Sequence, residues 1–444
     1  MTRVRQRESW LAAIPPERRR MVAGGAIGTL MEYYDYYLYG LASATVFPAV
    51  FFPKESLALG TIASFVTFAF GFLLRPVGGV VFGHVGDRLG RKTALLMTVV
   101  GMGIATTAIG LIPSATAIGA TAPVLLLIFR MLQGLFVGGE MGSAASYVVE
   151  HAPPGRRGLF GALLISGAGI ANLGSAGFMA ALGIGSKEFF ITWGWRIPFV
   201  FALVLAIIAV VLRSKLEESE EFKEHIAAAK HEQRARKLPL LEAFRHPKNA
   251  ILGILIGLPQ SIAGYIVLTF GLAFMVSKGT AAQVGFTGTM IVGFLQIFVA
   301  PMWGSFSDRV GRRNLYIAAC AAFAILIYPT FALYATESAM LIWLGMIIGF
   351  VIPGVAMQAT LQTMLCEMFD TEARTTGVSI GYQVSNTIGG GFAPLIAASL
   401  TAAFHSVFPV IVYSAVIAVI GIIATAYASF RPDVENAGRL YALS

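Results

Sequence analysis

Two acids, Glu32 and Asp35, stand one helical turn apart inside an apolar stretch near the start of the chain. Two arginines, Arg75 and Arg130, and a further acid, Glu140, interrupt later apolar stretches. An ionisable side chain at membrane depth costs about 2.5–3.5 kcal/mol on insertion scales, so it persists where it is paired or used. A carboxylate in low dielectric holds its proton, and an adjacent guanidinium releases it. Moving the arginine would therefore switch the acid between binding and releasing a proton. Asp35 with Arg130 is the first pair expected to do this, and Glu32, with Arg75 as partner, the second. The competing reading is a fixed ion-pair network that only holds helices together. Glu140 follows Gly138 and Gly139 and reads as structural or gating rather than as a proton carrier.

Such residues need long membrane helices to position them. The chain has 444 residues, 57% of them hydrophobic and 12% charged, with a mean hydropathy of +0.75. These values exclude a soluble globular enzyme, a disordered chain and a fibrous repeat. A transmembrane barrel is excluded because the apolar runs are continuous rather than alternating. Apolar stretches run over 22–52, 59–83, 93–113, 121–149, 158–182 and 195–212. A charged segment, 213–249, follows, and six more stretches run over 250–276, 284–306, 315–335, 339–366, 377–403 and 407–430. Each holds enough residues to span the bilayer, which takes roughly 20. The expectation is an all-α membrane protein of twelve helices, divided into a tail (1–21), a first six-helix bundle (22–212), a linker (213–249), a second bundle (250–430) and a tail (431–444). Leu216–His231 in the linker reads as a short amphipathic helix, and its bland role is a solvated connection. Cys320 and Cys366 read as small core residues. No metal-ligand spacing, cofactor motif, cleavable signal peptide or phosphate-cradling loop is present, so neither a metal nor a cofactor is expected and ATP-driven transport is disfavoured.

Placing the N-terminus in the cytoplasm puts 26 of the 32 lysines and arginines on that side and four outside. The positive-inside rule then sets both termini in the cytoplasm, in a prokaryotic inner membrane. The net charge of +9 reports this orientation. It does not report nucleic-acid binding, because no basic soluble domain exists to carry it.

A repeat divides the chain. Gly83-His-Val-Gly-Asp87-Arg88-Leu-Gly90-Arg91-Lys92 follows the second apolar stretch, and Gly304-Ser-Phe-Ser-Asp308-Arg309-Val-Gly311-Arg312-Arg313 follows the eighth, with the two aspartates 221 residues apart. Glu150 precedes Arg157 by seven residues, as Glu367 precedes Arg374, after the fourth and tenth stretches. Two halves in the same orientation imply two bundles around a central site. The aspartate of each motif can accept from unpaired N–H groups of a neighbouring helix and pair with a local arginine. Such a cluster would hold the cytoplasmic side shut in one state and release it in another. Gating is therefore expected of Gly83, Asp87, Arg88, Arg91, Asp308, Arg309 and Arg312, together with Glu140, Glu150, Arg157, Glu367 and Arg374.

The doubled motif resembles that of the major facilitator superfamily. Glu32-Tyr-Tyr-Asp35-Tyr-Tyr-Leu-Tyr-Gly40, Leu74-Arg75-Pro76, Arg130-x-x-Gln133-Gly and Trp193-Gly-Trp-Arg-Ile-Pro198-Phe are similar to its metabolite:H⁺ symporter branch. Tyr33 departs from the branch pattern, as does Leu216-Glu-Glu-Ser-Glu-Glu-Phe222, which lacks a proline. The resemblance spans the whole chain and implies alternating access without an enzymatic reaction. It implies an Asp35–Arg130 pair, as in sugar-carrying members, and a substrate such as citrate, 2-oxoglutarate, shikimate, proline or betaine.

Mid-span polar and aromatic side chains are the candidates for substrate contact. The first half offers Tyr36, Tyr39, Arg75, Gln133 and Asn172. The second offers Gln260, Tyr265, Gln296, Gln358, Gln362, Tyr382, Gln383 and Asn386. Tyr33, Tyr34, Tyr36, Tyr37 and Tyr39 surround their helix, so at most two or three can line one cavity. A guanidinium at membrane depth suits a carboxylate; aromatic rings alone would suit a quaternary amine. The expected function is proton-coupled import of a small organic acid by a monomer. A proline or betaine symporter and an exporter are the alternatives.

Overall fold

A computed structural model describes residues 16–89, 91–138, 152, 155–214, 247–369 and 374–429. These form α-helices and their connections: α1 (Pro16–Thr45), α2 (Leu57–Phe82), α3 (Thr93–Leu111), α4 (Thr121–Gly138), α5 (Arg157–Leu182), α6 (Lys187–Leu212), α7 (Lys248–Ser277), α8 (Ala282–Val310), α9 (Arg312–Tyr334), α10 (Ala339–Met368), α11 (Gly377–Phe404) and α12 (Phe408–Tyr427). Eleven of them, α2 to α12, are long and apolar enough to cross a membrane. The 30 residues of α1 extend about 45 Å, also enough to cross. Helices are what this composition demands, because a backbone in hydrocarbon must satisfy its own hydrogen bonds. Outward faces stay apolar at Ile207, Ile325 and Val416, as lipid requires.

Observed bounds follow the hydropathy closely, with two instructive exceptions. The stretch 22–52 is two elements, since α1 stops at Thr45 and a short helix, Phe47–Phe51, follows. Its Pro48 stands in the first turn, where the missing N–H costs nothing. The sixth helix begins at Lys187 rather than at 195, because Ser186 caps the polar turn by accepting from the Phe189 N–H. The N-terminal tail, expected to reach residue 21, gives way to α1 at Pro16, because the polar turn Pro16–Arg20 joins the helix that hydropathy begins at 22; the amphipathic linker helix and the C-terminal tail lie outside the described residues.

Glycines decide how closely the helices approach. A Cβ added at Gly134 of α4 would lie 1.8 Å from the Gly71 carbonyl oxygen of α2, and one at Gly138 would lie 1.9 Å from that of Arg75. The α2 and α4 backbones therefore touch, which brings both arginines to one side of the bundle. Gly71 has a second effect: a Cβ there would fall 2.5 Å from Arg130 Nε, in the space the guanidinium fills. Between the halves, α5 and α8 run against each other along their length. Gly169 meets Gly293, and Gly158 meets Gly304, at distances that leave no room for a side chain.

The second half carries wide, π-helical turns at Tyr265–Phe270 in α7, Ile347–Val351 in α10 and Asn386–Gly391 in α11. Each inserts an extra residue into a turn, which shifts the rotational phase of everything beyond it. Tyr265 and Asn386, both polar candidates, stand at the first position of such a turn.

Gly134→Val is expected to force α2 and α4 apart and to cut the yield of monodisperse protein several-fold. Gly167→Ala, whose Cβ would meet nothing within 4 Å, should leave the yield unchanged. Size-exclusion profiles of the two variants in detergent check this; similar profiles would mean the contact is not needed.

Candidate functional site

Asp35 projects from α1 into a fully enclosed cluster. Thr106 Oγ1 of α3 donates to its Oδ1 at 2.7 Å, and Arg130 of α4 donates to its Oδ2 at 3.3 Å. Gln133, one turn after Arg130, donates to Asp35 Oδ1 and accepts from Arg130. Its amide also donates to Thr106 Oγ1 at 2.8 Å. The Arg130 guanidinium lies 4.1 Å above the Tyr39 ring, whose hydroxyl bonds Thr67 at 2.7 Å. Asp35 is 3% exposed and Arg130 2%, so neither charge has water to turn to. Removing one partner of such a pair strands the other, at a cost of roughly 3–5 kcal/mol.

One turn earlier on α1, Glu32 accepts from Arg75 at 3.1 Å. This pair forms part of the wall of a central cavity between the halves. The first half contributes Glu32, Tyr33, Tyr36, Tyr37 and Arg75, and the second contributes Gln260, Ser261, Gln358, Tyr382 and Asn386. Tyr33 and Tyr382 close one boundary with a hydroxyl–hydroxyl bond of 2.8 Å across the halves. Tyr36 meets Tyr265 edge-on at 4.5 Å. On the far wall, Ser261 donates to Asn386 at 3.2 Å, and Gln296 donates to Gln358 at 2.8 Å.

Phe72 joins the two charged clusters. Its ring lies 4.1 Å from the Arg75 guanidinium and 5.8 Å from that of Arg130. Each contact is worth about 0.5–2 kcal/mol when desolvated. Its carbonyl oxygen accepts from Thr387 of α11 at 3.3 Å. Both arginines thus lean on a residue that also touches the other half.

Six of the expected substrate residues line this cavity: Tyr36, Arg75, Gln260, Gln358, Tyr382 and Asn386. Gln133 sits in the Asp35 cluster instead. Tyr39 packs beneath Arg130, and Tyr265 stands behind Tyr36. Asn172 is fully buried, with neither polar atom bonded, and it is not on this wall. Gln362 is half-buried away from it. Tyr33, Tyr37 and Ser261 line the cavity without having been singled out as contacts. Tyr33, Tyr36 and Tyr37 follow the i, i+3, i+4 spacing of one helix face, which was the available signal. Thr106 had no signal, since a threonine in an apolar helix is usually bonded to its own backbone.

The second copy of the doubled motif is described in full. Asp308 accepts from the Gly158 N–H at 2.8 Å and the Leu159 N–H at 3.0 Å, capping the start of α5 from across the molecule. Arg312 holds Asp308 at 2.7 Å and Glu367 of α10 at 2.7 Å. Thr363 donates to the Arg157 carbonyl at 3.4 Å. Arg309 is exposed, as is Arg88. Gly83, Asp87, Arg91, Glu140, Glu150 and Arg374, also expected to gate, lie outside the described side chains.

A helical membrane bundle of two repeated halves, with balanced charges buried beside a central cavity, is the architecture of a secondary carrier. Residues 250–440 match the family description "Major Facilitator Superfamily", and residues 21–238 match "Sugar (and other) transporter". The chain is 39% identical over 402 residues to the shikimate transporter of Escherichia coli (strain K12), covering 88% of this chain and 90% of that one. It is 32% identical over 415 residues to the proline/betaine transporter of the same strain, covering 91% and 82%. The crystal structure of a D-xylose-proton symporter superposes with a TM-score of 0.70 at 19% identity, over 94% of this chain and 99% of that one. The protein belongs to the major facilitator superfamily, in the group that includes the shikimate, metabolite and proline/betaine transporters. It is a multi-pass membrane transporter of metabolites, not an enzyme.

Asp308→Ala removes the acceptor for two N–H groups of α5 and is expected to weaken this end of the interface by about 1 kcal/mol. Both native cysteines are buried, so a cysteine placed at Ala162, which abuts Gly304, can report the change. Maleimide labelling of Ala162→Cys should run several-fold faster with Asp308→Ala. Equal rates would mean the cap does not hold α5 to α8.

Proposed function

We propose that this protein is a proton-coupled importer of a small organic acid, working by alternating access as a monomer. The observation that carries this reading is the Asp35–Arg130 pair, sealed from water beside a cavity that contains Arg75. A guanidinium that moves relative to Asp35 between two states would change whether that acid keeps its proton. Glu32 is a second proton site, set against Arg75. Arg75 suits a carboxylate ligand, and a relative named for shikimate transport is consistent with one. The Asp308–Arg312–Glu367 network, with Arg157 beside it, acts as the gate at its end of the molecule. A bacterial inner membrane with both termini inside fits the charge distribution and the inner-membrane name of a second relative.

The runner-up is proton-coupled uptake of proline or betaine. Tyr33, Tyr36 and Tyr37 beside Glu32 would suit a cationic head group, and proline/betaine transporters are among the relatives.

Proteoliposomes with an imposed inward proton gradient test the reading. A labelled carboxylate should accumulate, and a protonophore should collapse the accumulation. Asp35→Asn should abolish uphill uptake while substrate exchange stays measurable. Accumulation at wild-type level in that variant would remove Asp35 from the coupling. Accumulation of betaine or proline alone would promote the runner-up, and net exit of substrate would reverse the direction.

A further inference from the structure

Both ends of α5 are capped by α8. Near one end, Asp308 accepts from the Gly158 and Leu159 N–H groups. Near the other, Gln283, in the first turn of α8, donates its side-chain amide to the Ala180 carbonyl at 2.6 Å. Ala180 lies in the last turn of α5, where carbonyls have no partner within their own helix. Gln283 and Asp308 stand 25 residues apart, about 38 Å along α8. Between them, Ser166 of α5 donates to the Ile297 carbonyl of α8 at 2.9 Å. The seam between the halves is therefore held along its whole length.

The Gln283 amide has a fitted seat. A Cβ added at Gly183, just past the end of α5, would fall 2.4 Å from Gln283 Oε1. That oxygen is buried with no donor of its own. Beside it the contact is apolar, with Phe190 of α6 meeting Phe286 of α8 at 5.8 Å between ring centres. The α1–α7 contact closes toward the same end. Tyr36 meets Tyr265 and, one turn further along both helices, a Cβ at Gly40 would lie 3.0 Å from Thr269 Oγ1. The halves thus meet on this side of the cavity as well as at the Asp308 end.

The two closures differ in chemistry. At the Asp308 end a carboxylate holds two N–H groups, and Arg312 binds two acids. At the Gln283 end a neutral amide meets a neutral carbonyl, a bond roughly half as strong as a charge-assisted one. Water can take over a last-turn carbonyl once the helices part. The Gln283 contact is therefore the one that yields first.

We propose that Gln283 is the latch for its end of the carrier: its bond to Ala180 shuts the cavity there, and its release opens that end while the Asp308 network keeps the other closed. With both termini in the cytoplasm, the latched end faces outward. This rests on the alternating-access reading above and adds to it the residue that guards the outer side.

Cysteine labelling of the purified full-length protein with N-ethylmaleimide tests the latch. Ala176 is fully buried, one turn inward of Ala180 on the same helix face, and Ala162 reports the Asp308 end. Gln283→Leu keeps most of the side-chain bulk and removes the donor. It should speed labelling of Ala176→Cys several-fold and leave the labelling of Ala162→Cys unchanged. Gln283→Lys, which still donates to a helix C-terminus, should restore the slow rate. Gly183→Ala acts from the other helix, since its methyl meets the end of the flexible Gln283 side chain. It should speed Ala176→Cys labelling as Gln283→Leu does, and it decides alone should Gln283→Leu not be recovered. Equal rates in every background overturn the proposal. So does parallel acceleration at Ala176→Cys and Ala162→Cys, which a general loosening would give, or fast labelling that persists in Gln283→Lys. Equal rates alongside gradient-driven uptake would keep the transport reading and overturn the latch. The expected labelling pattern without any gradient-driven uptake would do the reverse.

Discussion

Two buried carboxylates one turn apart on α1 are balanced by guanidiniums from α2 and α4. This charge balance governs much of the first half. Neither pair tolerates a gap, because Coulomb attraction offsets desolvation only at hydrogen-bonding distance. The helices that carry the arginines must therefore approach closely. They do so through Gly71, Gly134 and Gly138, where backbone packs on backbone. The aromatic residues follow from the same demand. Tyr39 and Phe72 cover guanidinium faces that would otherwise lie against bare hydrocarbon.

The second half meets the first with different chemistry. Its cavity wall is built from amides and hydroxyls. A neutral wall faces an ion pair, so charged groups stand on one side of the cavity and neutral hydrogen-bonding groups on the other. Phe72 links the two halves by touching both arginines and bonding α11. At the motif end, the Asp308 cap on α5 is an electrostatic contact between the halves, and it uses the N-terminal partial charge of a helix rather than a buried side chain. Contacts of that kind can part and reform at modest cost, which suits a gate.

Much of this architecture was legible in the residues alone. Hydropathy located the helices, since an apolar run of this length has one stable form in lipid. The doubled Gly-x3-Asp-Arg motif marked two halves, and the interior charges stood out because each is expensive. The boundary at 195 misplaced the start of α6, because a capped polar turn can extend a helix that hydropathy ends.

Which side chains meet was decided by the tertiary structure. Glu32 finds Arg75 across 43 residues, and Asp35 finds Arg130 across 95; the spacing nominated these partners but could not seat them. Gln133 joined the Asp35 cluster rather than the cavity, and Thr106 entered it unannounced. The reason is rotational phase. Composition is a local property, but the face a residue presents depends on where glycines let helices touch and where a π-turn resets the helix beyond it. A membrane helix announces its existence residue by residue, while its neighbours determine which way it faces.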